Sequence, residues 1–174
     1  MESADEIRRR LQDGQSRLFA LLSGVTEEQF KRRPPATADD PQPWCIAEVL
    51  AHLLSHERLW AERIRLALQS DGARIDPSPP EAHEENARAG RHAAVPQLIH
   101  GLLGVRREVQ KLLDTSTGPR GRMLPNTLWH SRLQQRLDLA WMFDKVAGHH
   151  EEHIAQIAAL REAVGARPLV EDPR

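Results

Sequence analysis

The sequence predicts an all-α chain. β-forming residues are scarce, with no tyrosine and three phenylalanines, and no stretch alternates polar and apolar residues as a half-buried strand would. Apolar residues instead recur at threes, fours and sevens over long stretches, the period of helices with one buried face. With 174 residues, 40% of them hydrophobic, the chain is long enough to bury one sizeable core, so residues 1–174 are expected to form a single domain.

Ile7, Leu11, Leu18, Leu21, Leu22 and Val25 mark a first amphipathic helix over residues of about 4 to 24, closed at Gly24. Thr26-Glu-Glu-Gln29 has the form of a capping box and starts one short helical turn. Pro34 to Pro43 holds four prolines and two aspartates; proline removes amide donors and disfavours helix in the residue before it, so this is a loop. Ile46, Val49, Leu50, Leu53, Trp60, Ile64 and Ala67 give a second helix from about Cys45 to Leu68, with Glu48 as the acidic half of a box at its start.

Asp71 to about Arg91 is rich in Pro, Gly and charge, with a short helix expected after Pro80. Antiparallel neighbours in bundles usually need only about two to eight linking residues, so this longer connection predicts that the second and third helices run parallel. The third helix follows from Val95, Leu98, Ile99, Leu102, Val109, Leu112 and Leu113, with Pro96 tolerated in the first turn. Gly101 and Gly104 in its interior predict close helix contact. Asp114 to about Arg132 reads as irregular. The last helix is expected from about Leu133 to Val164, ended by Pro168 and a polar tail.

Charge excludes one class of partner. With 24 Lys+Arg against 25 Asp+Glu and no aromatics interleaving the runs Arg8-Arg9-Arg10 and Lys31-Arg32-Arg33, nothing favours nucleic acid. No apolar run approaches the roughly 18 residues of a membrane span, and Met1-Glu-Ser-Ala-Asp-Glu lacks the features of a leader, so a soluble cytoplasmic protein is expected. Cys45 is the single cysteine, which excludes a disulfide framework and a zinc site built on several thiolates.

The chemistry therefore rests on histidine. His149 and His153 are four apart, so one turn of helix puts both imidazoles on one face, within reach of a single metal ion. His153 sits mid-seam, flanked by His149 and His150. His52 and His56 ride on the second helix; at 100° per residue they point roughly 120° and roughly 80° from its apolar direction, so periodicity favours His56. His83, His92, His100 and His130 read as surface residues. His150 occupies the place where a zinc protease needs glutamate, and no glutamate has histidine three residues later, which disfavours a carboxylate-bridged di-iron bundle. Serine-nucleophile and phosphate-loop signatures are missing.

Trp44-Cys-Ile-Ala-Glu-Val-Leu-Ala-His-Leu-Leu-Ser-His-Glu-Arg-Leu-Trp60, followed by His149-His-Glu-Glu-His-Ile-Ala-Gln-Ile157 and preceded by the Thr26-Glu-Glu-Gln-Phe turn, resembles the DinB/YfiT-like family of metal-binding four-helix bundles. The resemblance implies an up-down-down-up four-helix bundle with a long crossover between helices two and three. It implies one divalent ion held by His52, His149 and His153, with His52 preferred over His56 by alignment. Cys45 stands where such sequences often have Ser or Thr at the helix cap. Three neutral imidazoles would leave the ion, zinc or nickel before iron or manganese, an open position. Glu152 and Gln156 are candidates to orient a ligand there; no general base is assigned. The activity implied is a metal-dependent transferase or hydrolase working with a low-molecular-weight thiol such as bacillithiol or mycothiol, acting as a homodimer. The alternative is a non-catalytic, stress-linked, metal-binding dimer.

Overall fold

The computed structural model describes residues 3–38 and 40–167. Helix α1 (Ala4–Leu22) starts where the Ser3 side chain accepts from the Glu6 amide. The Thr26 box forms as expected: Thr26 Oγ1 accepts from the Gln29 amide at 3.3 Å, Gln29 Oε1 accepts from the Thr26 amide at 3.0 Å, and the turn α2 (Glu27–Lys31) follows. In α3 (Ile46–Gln69), Glu48 Oε2 accepts from the Cys45 amide at 2.8 Å, while its carboxylate also receives Arg33 from the preceding loop. Cys45 is fully buried, and burial raises its thiol pKa.

Helix α4 (Pro80–Gly90) lies within the crossover, α5 (Val95–Thr115) carries Pro96 in its first turn, and α6 (Leu139–Ala163) is the last long helix. Their directions follow from paired contacts. Gly101 approaches Leu54, and Arg106 bonds Glu57, while Glu108 pairs with Arg65, so residue numbers rise together and α3 and α5 are parallel. His52 meets His149 while Trp60 meets Trp141, so α3 and α6 are antiparallel. Gly14 meets His150 and the Leu21 carbonyl receives Arg161, so α1 and α6 are parallel. The order is up-down-down-up. Leu18, Leu50, Leu53, Ile64, Leu102, Leu113 and Phe143 fill the space between the helices, and full burial of each such side chain contributes about 1.5–3 kcal/mol.

Two expectations need correction. The connections contain a small sheet, in the order β1 (Ala73–Ile75), β2 (Thr127–His130), β3 (Gln135–Asp138). Strands β1 and β2 pair in parallel, Ala73 opposite Leu128 and Ile75 opposite His130; β2 and β3 are antiparallel, Thr127 opposite Asp138. The last helix accordingly begins at Leu139 and not near Leu133, because Asp138 Oδ1 accepts from the Trp141 amide and caps it. Pro168 lies outside the described residues. The chain nevertheless remains predominantly helical.

Glycines place α4. A Cβ on Gly90 would stand 2.4 Å from Ala51 Cβ and 2.6 Å from the Ala47 carbonyl oxygen, so only glycine lets this helix lie directly on α3. Of the two interior glycines of α5, Gly101 is in close contact, 2.9 Å from Leu54 for an added Cβ, whereas Gly104 has open space.

Candidate metal centre

Histidines from α3 and α6 meet at one point. His52 Nε2 and His149 Nε2 lie 3.0 Å apart, His153 Nε2 and His149 Nε2 lie 3.2 Å apart, and one ring nitrogen from each of the three falls within 4.8 Å of the others. Gln156 Oε1 accepts from His153 Nδ1 at 2.6 Å, which fixes the proton there and leaves the Nε2 lone pair free. With the His153 Nε2 held as an acceptor, a single two-centre hydrogen bond among the three crowded ring nitrogens leaves the third without a full partner. A cation between them would satisfy all three, so this donor set fits a metal ion. The Nδ1 atoms of His52 and His149 are buried without a protein partner, on the side that carries the proton when Nε2 is a ligand.

Burial keeps the rings neutral. Burial, followed by the charges of His153 and His83, pushes His52 down to about 4. His149 is pushed to about 2 by burial and by its three histidine neighbours, and burial also lowers His153. All three would offer lone pairs at neutral pH.

His56 has another task. Trp60 Nε1 donates to His56 Nε2 at 3.0 Å, occupying the lone pair, and the ring stacks on His149 with centroids 3.6 Å apart and planes at 20°. Periodicity favoured His56 because it is the more buried of the pair, at 8% exposure. Burial, however, serves its packing against His149 and Trp60. His150, expected only to flank the seam, is buried at 3% exposure, while His149 and His153 are half-buried. It lies over Gly14 of α1 and beside Arg106 of α5, which bonds Glu57 of α3. Glu57 and Arg106 were missed by the sequence reading. The signal was there: each occupies an apolar-seam position, Glu57 between Leu53 and Trp60, Arg106 between Leu102 and Val109.

Of the expected surface histidines, one is buried and another half-buried. His130 is buried and its Nδ1 accepts from the Leu133 amide at 3.2 Å, while the half-buried His83 stands edge-on to His52 with centroids 6.2 Å apart. His92 and His100 are exposed as expected. Of the proposed orienting residues, Gln156 touches the triad, whereas Glu152 is exposed to solvent. Trp44, just ahead of α3, packs 5.1 Å from His52. Trp44 and Gln156 also line an open cleft of about 570 Å³ with Asp40, Glu84 and Arg88, so the triad adjoins a space that a small molecule can enter.

Histidines from two antiparallel helices, converging beside a polar cleft, make this a histidine-bearing four-helix bundle of up-down-down-up order. The chain belongs to the DinB superfamily, whose profile matches residues 10–157. Among solved structures it is similar to Bacillus subtilis YfiT, described as a probable metal-dependent hydrolase with an unusual four-helix bundle topology. The TM-score is 0.76 at 18% identity, over 96% of this chain and 92% of that one. An uncharacterised Escherichia coli protein is similar with a TM-score of 0.72 at 10% identity, over 97% and 98% of the two chains. At such identities the likeness shows the fold. No curated protein sequence matches the chain.

Proposed function

We propose that this protein is a metal-dependent enzyme, a transferase or hydrolase acting with a low-molecular-weight thiol, in which His52, His149 and His153 hold one divalent ion. The observation that carries this reading is the convergence of three neutral imidazoles, one of them fixed as a free lone pair by Gln156, beside a cleft. Zinc or nickel suits the imidazole set, and iron or manganese is the next choice. Held by these residues, such an ion would supply Lewis acidity that lowers the pKa of a thiol or water toward neutral. The chain's own residues do the rest. Gln156 holds the His153 tautomer, His56 backs the His149 ring, and Trp44 with Gln156 forms the wall between the triad and the cleft.

The partners in this reading are a small thiol and an electrophile, bacillithiol or mycothiol being candidate thiols, with no nucleic acid and no membrane. Among the described residues, no helix is long and apolar enough to cross a membrane. The compartment proposed is the cytoplasm. A homodimer is part of the proposal. A non-catalytic metal site would be sealed by side chains; the open cleft speaks for chemistry.

The test is elemental analysis of untagged protein purified without chelator, beside His52→Ala, His153→Ala and His56→Ala, followed by thiol consumption against a panel of electrophiles. About one equivalent of metal, lost in the first two variants and kept in the third, with thiol turnover in the wild type, is expected. Metal-free wild type that takes up neither zinc nor nickel would overturn the reading.

A further inference from the structure

The helices that carry the triad are joined a second time, away from the cleft. Glu57 of α3, Arg106 of α5 and His150 of α6 are 2%, 5% and 3% exposed. Arg106 Nη2 donates to Glu57 Oε1 at 2.9 Å and Nε donates to the same carboxylate at 3.2 and 3.3 Å, while Nη2 also donates to His150 Nε2. On its other side the His150 ring lies against Gly14, where an added Cβ would be 2.7 Å from Nδ1 and 3.0 Å from Cε1. The ring is held between α1 and α5.

This arrangement bears on the metal centre through helix geometry. His150 projects about 100° around α6 from His149. Side-chain tips stand about 5–6 Å from a helix axis, so a rotation of about 20° carries a ring nitrogen by about 2 Å. That is as large as a whole histidine–metal bond of about 2.0–2.1 Å. Glu57 follows His52 on α3 and His150 follows His149 on α6, so the polar chain fixes the same pair of helices that must meet at the triad. A buried ion pair often contributes no more net stability than apolar side chains of similar volume, which leaves the arrangement it specifies as a role for this one.

We propose that Glu57, Arg106 and His150 are positioning residues for the metal centre: they set the rotation of α6 against α3 so that His149 and His153 face His52 before an ion arrives. The inference rests on the triad being a metal site. It asks nothing of the protonation of any ligand.

The test compares wild type, the double variant Glu57→Leu/Arg106→Met, and the pair His150→Leu and His150→Gln. Three readouts are used: thermal unfolding without metal, zinc affinity by chelator competition, and the visible spectrum of the cobalt-substituted protein. The double variant should unfold without metal near the wild-type temperature, because apolar replacement of the buried pair offsets the loss of the Arg106 donor to His150. Its zinc affinity should fall about 10- to 100-fold, with an altered cobalt spectrum. His150→Leu should show the same loss, and His150→Gln, which keeps an acceptor for Arg106, should recover most of it. Wild-type affinity and spectrum in a folded double variant and in His150→Leu would overturn the proposal. If the double variant does not fold, the His150 pair decides in the same terms. A wild type that binds no zinc fails the metal reading itself, whereas a zinc-binding wild type with indifferent variants fails this inference alone.

Discussion

His149 and His150 are neighbours on one turn of α6 and end in opposite chemistry. His149 Nε2 faces two other imidazole nitrogens at 3.0 and 3.2 Å and has no donor to satisfy it securely; His150 Nε2, buried more deeply, receives Arg106. Depth of burial does not mark a ligand. What singles out a candidate ligand is a ring nitrogen aimed at other ring nitrogens, whereas a histidine with a guanidinium for a partner belongs to the framework. The same contrast separates His52 from His56 on α3, where Trp60 occupies His56.

The largest test of this contrast breaks the framework side. Arg106→Met alone leaves Glu57 as a buried carboxylate without its partner, and unfolding free energy from urea denaturation should drop by about 3–5 kcal/mol. A loss under about 1 kcal/mol would mean that water reaches Glu57. On the triad side, zinc at about a thousand times its Kd should raise the stability of wild type by about 4 kcal/mol. His52→Ala and His153→Ala should abolish that increment and His56→Ala should keep it, as read by unfolding with and without a chelator.

A more gradual effect appears in the pH dependence of the metal-free protein. Burial holds His52 at about 4, and His56 and His150 at about 3, all below the unfolded value of 6.5. Below pH 6.5 the unfolded chain takes up protons that the folded rings refuse. Stability should therefore be intact above pH 6.5 and fall as pH drops toward 4, approaching about 1.4 kcal/mol per pH unit for each such ring. A flat profile between pH 6.5 and 4.5 would show that the rings open to solvent. Saturating zinc should add a near-constant increment over this range and leave the slope unchanged, because the proton uptake belongs to the unfolded chain. The smallest effect lies far from the site: Thr26→Ala removes the acceptor for the Gln29 amide and should cost about 1 kcal/mol without changing zinc affinity.

Periodicity made the four long helices legible, all but the start of α6 to within a few residues, and the length of the crossover announced that α3 and α5 run parallel. The strands were not legible. Thr127–His130 does alternate in burial, but four residues give no usable period, and β1 pairs with a strand far along the chain that no local pattern announces. The start of α6 was misplaced because Leu133 continues the apolar spacing, while the capping Asp138 is the physical boundary. Within the site, the pair four apart on α6 was readable from spacing. The choice of His52 over His56 was not, since which ring is left without a donor depends on where Trp60 Nε1 points. His83 approaches the triad only through the docking of α4, which hinges on Gly90 facing Ala51, a pairing that no local pattern reveals.

Cys45 has a practical consequence. An enzyme of the kind proposed would meet reactive electrophiles, and this chain carries one sulfhydryl, fully buried at the head of α3 with burial raising its pKa. The protein should survive its own reagents while folded. Alkylation of Cys45 by iodoacetamide would then act as a clock for the opening of the α3 N-terminus, with no engineered label needed.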